Sequence, residues 1–183
     1  MYRLSLDGTN VIFIDFDGPL LPARMHLVEP NRQILVDEEC SWQDNHALKK
    51  QIKFDPVAIS MLNRWLEKAE AKFVLSTNWT KYATMEELQE ILSVNGLEGA
   101  YTAIHEDWKT VKHKQWSRAD EISYWMSNHR GEISGYLMLD DDISIINHPH
   151  LDQKRAILVD FYNGIGWRQF FDGFEVFGIT DYK

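Results

Sequence analysis

Val11-Ile12-Phe13-Ile14-Asp15-Phe16-Asp17-Gly18 is the stretch whose reading decides the fold. Four consecutive apolar residues, all β-branched or aromatic, read as a strand buried on both faces, as in a parallel sheet covered by helices. Three further runs repeat the pattern and stop on a polar or acidic residue: Phe73-Val74-Leu75 at Ser76, Tyr136-Leu137-Met138-Leu139 at Asp140, and Ala156-Ile157-Leu158-Val159 at Asp160. Helical patterns lie between them. Asp55 before Pro56 is an N-cap followed by proline in the first turn, and Val57, Ile59, Met61, Leu62, Trp65 and Leu66 fall mostly on one face. Glu86 to Val94 reads as a second helix closed by Asn95-Gly96. In Ser117-Arg118-Ala119-Asp120 the serine caps a third, with Asp120 as the acidic partner of a capping box and Ile122, Trp125 and Met126 as the buried stripe. Alternating strands and helices predict the α/β class: a doubly wound, Rossmann-like parallel sheet with helices on both faces.

The rhythm breaks between about Gly18 and Phe54. His26-Leu27-Val28-Glu29 and Gln33-Ile34-Leu35-Val36, separated by Pro30-Asn31-Arg32, read as a β-hairpin or flap inserted after the first strand. The expected organisation is therefore one domain over residues 1–183 with a small flap or minimal cap within about 19–54.

Composition narrows the classes of function. With 19 Lys and Arg against 28 Asp and Glu, the net charge of −9 has the wrong sign for a protein that coats nucleic acid by releasing counterions. No apolar run approaches the roughly 20 residues of a membrane span. The opening MYRLSLDGTN lacks a basic stretch leading into an apolar one, so a cytoplasmic location is expected. The single cysteine, Cys40, has no metal-ligand spacing to other Cys or His and reads as a free structural thiol.

In open α/β sheets, functional groups collect beyond the carboxyl ends of the strands, so the polar clusters at those ends are expected to converge. Asp15 and Asp17 lie a dipeptide apart on one strand end, and Gly18 lets the chain turn sharply. A carboxylate attacks a phosphate dianion poorly unless charge is neutralised, which Mg²⁺ held by hard oxygen ligands accomplishes. Asp140 and Asp141, with Asp142 behind them, are ligands of that kind, and three consecutive acids need a cation.

DFDG, a Ser or Thr after a strand, a basic residue before a helix and a final Asp pair resemble the four-motif pattern of the haloacid dehalogenase superfamily. More narrowly, the run from Phe54 to Asp142 resembles the haloacid dehalogenase domain found in Swiss Army Knife RNA repair proteins. FVLSTNW stands for that branch's Ser-Ser-x-Trp-Arg pattern, SRADEISYWM for its Arg-x-x-Glu-Ile-x-x-Trp helix, and YLMLDDD for its final acidic strand. The resemblance implies a phosphatase with Asp15 as nucleophile and Asp17 as general acid and base. It implies Mg²⁺ held by Asp15, the Asp17 carbonyl, Asp140 and Asp141. Ser76 or Thr77 would bind a phosphoryl oxygen, with Gly18, Asn78 and Lys114 bordering the substrate. Arg118 is the expected basic residue, with Lys112 and Lys114 as alternatives. One departure is Thr80, which stands where the pattern has Arg, so a phosphate-side arginine is missing or replaced by Lys81.

Other residues have plainer readings. Trp65 and Trp125 fall on helix faces and are expected in the core, whereas Trp79, Trp108 and Trp116 lie near strand ends or loops, where an indole can also stack on a base. His148 and His150 read as surface residues. Gly164-Ile165-Gly166, after the fourth strand, would border the pocket. The expected activity is hydrolysis of a phosphomonoester through an aspartyl phosphate, on a nucleotide or a nucleic-acid terminal phosphate. A strip of Lys109, Lys112, His113 and Lys114 would guide a polymer. Two alternatives stay open: a non-catalytic phosphate-binding protein on the same fold, and a phosphatase of a non-nucleotide metabolite.

Overall fold

The computed structural model describes residues 7–36 and 41–181, so Cys40 lies outside the described residues. Five parallel strands form one sheet in the order β3-β2-β1-β4-β5, with β1 Thr9–Ile14, β2 Ala71–Leu75, β3 Ile104–Lys109, β4 Ile133–Asp140 and β5 Ala156–Leu158. The chain order reverses at β1, which has β2 on one side and β4 on the other. That places the first DxD strand at the crevice where open α/β sheets bind ligands. The four strands expected from apolar runs are present. β3 has no such run: in IHEDWK only Ile104 and Trp108 are apolar, as suits an edge strand covered on fewer sides.

The principal helices are α1 His46–Lys49, α2 Pro56–Ala69, α3 Met85–Val94, α4 Arg118–Asn128 and α5 Trp167–Val176. Residue parity along β1 divides the core. Ile12, Ile14 and Phe16 join the cluster that contains Leu62 and Trp65 of α2, Leu88 and Ile91 of α3 and Phe174 of α5. Val11 and Phe13 join Ile122, Trp125 and Met126 of α4 with Ile145. Each face of the sheet thus carries a helix layer, and Trp65 and Trp125 are buried as expected. The caps also match: Asp55 accepts from Val57 N–H, and Ser117 and Asp120 form a reciprocal capping box.

The hairpin expected after β1 is not formed. Ala23–Leu27 is a 3₁₀ turn and Arg32–Val36 a single π-helical segment. Neither stretch alternates: Met25 and Ile34 are buried while Leu27, Val28 and Val36 are exposed, so pairing as strands would bury no common face. The buried Asn31 carboxamide instead donates to the carbonyls of Met25 (3.0 Å) and Lys53 (2.6 Å) and accepts from Lys53 N–H (2.6 Å). One side chain therefore ties the insertion to the segment entering α2. The 3₁₀ turn also lies against the loop after β5, where Ala23 N–H donates to the Phe161 carbonyl at 2.9 Å.

Candidate active site

The site is built at the carboxyl edge of the three central strands. Asp15 leaves β1 with its N–H on the Leu139 carbonyl (3.1 Å), so the first carboxylate is fixed against the strand that ends in Asp140. Gly18 has φ +82, and a Cβ there would lie 3.0 Å from Cβ and Cγ of Asp141. Glycine thus serves two needs, a left-handed turn and close approach of the two acidic loops. Gly18, expected beside the substrate, stands against Asp141 in the fold.

Asp15, Asp140 and Asp141 each offer an oxygen within 4.8 Å of the others. Burial first, and then the Asp15 charge, push the Asp140 carboxyl well above the ordinary carboxylate range, and the same two causes raise Asp141. Asp140 Oδ1 accepts from Asp142 N–H (3.0 Å), whereas its buried Oδ2 has no hydrogen-bond donor. A carboxylate trio of this kind, drawn together at the strand ends, suits a hard divalent cation. Asp142 itself is exposed and caps a short 3₁₀ turn by accepting from Ser144 N–H (2.8 Å).

Arg118 enters this cluster from the first turn of α4. Its Nη2 donates to Asp15 Oδ2 (2.7 Å), its Nη1 to Glu121 (3.2 Å), and its Nε lies 2.8 Å from Asp140 Oδ2 without an aligned hydrogen bond. Burial works to lower the guanidinium pKa, but Asp15, Asp140 and Glu121 together outweigh it and hold the group charged. Of the other basic candidates, Lys112 stands beside Arg118 on the same carboxylate. Lys112 donates to Glu121 (2.6 Å), and burial and then the Arg118 charge lower its pKa, while Lys114 is exposed. Glu121 therefore sits under both cations. Sequence reasoning gave it no role, although its i+3 spacing from Arg118 within the helix motif was the available signal.

Asp17 is held from beneath. The buried indole of Trp79 points its Nε1–H at both carboxylate oxygens (3.4 and 3.3 Å), and its ring packs against Phe16, Phe54 and Trp42. Burial and then Asp15 raise the Asp17 pKa to about 6, with Trp79 opposing the shift. The sequence left Trp79 between core packing and base stacking; it is a core residue that also touches the site.

Ser76 and Thr77, at the end of β2, are both buried. Ser76 Oγ accepts from the Thr110 hydroxyl (3.4 Å), whereas Thr77 Oγ1 accepts from Trp79 N–H (3.3 Å) and caps the 3₁₀ turn Asn78–Lys81. Asn78 is exposed at the start of that turn. Thr80, where the family pattern has Arg, is buried and donates to the Thr77 carbonyl (2.9 Å). Gly164 borders the same region, since a Cβ there would lie 3.2 Å from the Gly18 carbonyl oxygen. His148 is tied to Asp120 at 3.3 Å, away from the acidic trio. Among the described residues, no helix is long and apolar enough to cross a membrane.

Residues 11–170 match the model of the family described as HAD domain in Swiss Army Knife RNA repair proteins. No curated protein and no solved structure gives a match.

Proposed function

Because this chain belongs to the haloacid dehalogenase (HAD) domains of Swiss Army Knife RNA repair proteins, a branch of the phosphatase-type hydrolases, we propose that it removes a terminal phosphate from a nucleic acid or a nucleotide through a phosphoaspartate at Asp15. The observation that carries the reading is the convergence of Asp15, Asp140 and Asp141 within 4.8 Å, crossed by the Arg118 guanidinium.

In this reading Asp15 Oδ2 is the attacking oxygen, while Oδ1 is fixed by the Phe16 N–H at 2.6 Å. A bond forms between Oδ2 and phosphorus as the bond to the leaving oxygen breaks. Asp17, whose pKa of about 6 keeps a share of it protonated near neutrality, gives its proton to that oxygen. Water then attacks phosphorus, Asp17 takes the water's proton, and the P–O bond to Asp15 breaks to release inorganic phosphate. Arg118 neutralises charge on the transferring phosphoryl group, and the Ser76 hydroxyl donates to one of its oxygens. Asp15, Asp140, Asp141 and the Asp17 carbonyl would hold Mg²⁺, which when bound offsets the charge between nucleophile and phosphate. Cytoplasmic action as a single domain, with the 19–54 segment as a minimal cap, accords with this reading.

The test is Asp15→Asn, assayed by release of inorganic phosphate from p-nitrophenyl phosphate and from 5′- and 3′-phosphorylated oligonucleotides in MgCl₂. Hydrolysis should vanish with the fold intact, because amide and carboxylate have nearly the same shape. Activity retained within about tenfold, a barrier change of roughly 1.4 kcal/mol, would remove Asp15 from the role.

A further inference from the structure

A groove of about 620 Å³ opens between the 3₁₀ turn after β2, the start of α3 and the end of β3, and Lys81, Tyr82, Trp108 and Lys109 are among its lining residues. Two of its lysines come from distant parts of the chain and meet only in the fold. Each is joined through a short stretch of backbone to a residue that touches the candidate active site or its wall. Lys81 closes the turn whose Trp79 donates to Asp17, and Lys109 precedes Thr110, whose hydroxyl donates to Ser76. Register supports the placement, since Lys109 pairs with Leu75, the last residue of β2 before Ser76.

Groove chemistry is mixed in a particular way. Lys81 and Lys109 are exposed, and among the described residues neither is paired with an acid. The Lys109 ammonium lies 4.6 Å over the Trp108 ring, and Tyr82 is 45% exposed. Glu87, an acid on the wall, is already engaged by Thr84 N–H (3.0 Å) and by Lys49 (3.4 Å), which leaves exposed Glu86 as the opposing charge on the rim. In a chain of net charge −9, two exposed lysines that have no acidic partner among the described residues stand here beside exposed Tyr82 and half-buried Trp108.

Cations that follow a phosphate backbone, interleaved with aromatic faces for bases, are how proteins hold single strands without reading sequence. We propose that this groove binds the nucleotides adjoining the terminal phosphate of a single-stranded nucleic acid, so that the scissile phosphate reaches Asp15 while the strand leaves over the β3 edge. The inference rests on the phosphatase reading above for the position of the terminal phosphate. It replaces the Lys109 to Lys114 strip expected from sequence: Lys112 is turned inward onto Glu121, and Lys109 finds its companion in Lys81.

Binding tests the groove separately from turnover. A fluorescein-labelled single-stranded oligonucleotide carrying a 5′- or 3′-phosphate is titrated by anisotropy against the wild-type protein in chelator, Lys81→Ala/Lys109→Ala, and Glu86→Gln. The double variant should bind at least about tenfold more weakly, with a log–log salt slope shallower by about 1.4, the value for two lost phosphate contacts on a single strand. Glu86→Gln should bind more tightly, and hydrolysis of p-nitrophenyl phosphate should stay within about twofold of wild type in both. Unchanged affinity and salt slope in the double variant overturns the groove even if oligonucleotides are hydrolysed. An equal loss on p-nitrophenyl phosphate also overturns it, by showing that the lysines act on the reacting site. A wild type that hydrolyses no phosphomonoester, yet loses oligonucleotide binding in the double variant, keeps the groove and discards the phosphatase reading.

Discussion

At the scale of single residues, two side chains separate chemistry from packing. Trp79→Phe keeps the ring among Phe16, Phe54 and Trp42 but removes the N–H aimed at Asp17. An alkyl phosphate needs a proton at its leaving oxygen, whereas a dinitrophenyl phosphate does not. Turnover of the alkyl ester should therefore fall roughly tenfold more than that of the aryl ester. An equal fall for both esters would mean that the indole only fills space. The Arg118 side chain is only 8% exposed among Asp15, Asp140 and Glu121. Arg118→Ala should lower turnover by about 10²-fold. In chelator it should also destabilise the protein by roughly 3–5 kcal/mol, the cost of leaving a buried charge unpaired. Lys114→Ala should change neither quantity, and calorimetry alongside kinetics on the two variants checks the pair.

At the scale of elements, the start of α4 aims the guanidinium. Ser117 accepts from Asp120 N–H (3.2 Å), while the Asp120 carboxylate accepts from Ser117 N–H (2.8 Å) and its hydroxyl (2.6 Å). Ser117→Ala should cost about 1 kcal/mol and also reduce turnover, because the first turn carrying Arg118 loosens. The contact of α5 with α2 is a control remote from chemistry. A Cβ on Gly173 would lie 2.5 Å from the Trp65 ring, so Gly173→Ala must displace a buried indole. It should destabilise by about 1–3 kcal/mol while leaving turnover per folded molecule unchanged. If Gly173→Ala reduced turnover as Ser117→Ala is expected to, the effect of the cap would reflect stability alone.

For the whole molecule, acidity and metal are linked. Asp17 titrates at about 6 instead of 3.8, and Asp140 and Asp141 are also raised, so the metal-free folded state holds more protons than the unfolded chain across that interval. The stabilisation from Asp17 is fully present below its unfolded value and is lost as pH rises through about 6, and that from Asp140 and Asp141 is lost as pH rises through their own raised values. In the proposed reading Mg²⁺ binds the trio in its deprotonated form. Its saturating shift in melting temperature should therefore be larger at pH about 7.5 than at pH about 5. A shift that is the same at both pH values, or absent, would count against a cation among Asp15, Asp140 and Asp141.

The sequence alone determined the parallel sheet, the caps of α2 and α4 and the acids at the strand ends, because each is written in local pattern: continuous apolar runs, Asp-Pro and Ser-x-x-Asp signatures, and acids directly after strands. Family resemblance narrowed the basic residue to three candidates, and only tertiary structure separated the buried Arg118 from Lys112 on Glu121 and exposed Lys114. Edge strand β3 stayed hidden because an edge needs no apolar run, and the insertion's helical turns because Asn31 ties them to the backbone of Lys53, far along the chain. The Trp79 bond to Asp17 and the meeting of Lys81 with Lys109 belong to the same class. Such contacts join residues whose separation in sequence carries no periodic signal, so they exist only once the sheet has brought its strand ends together.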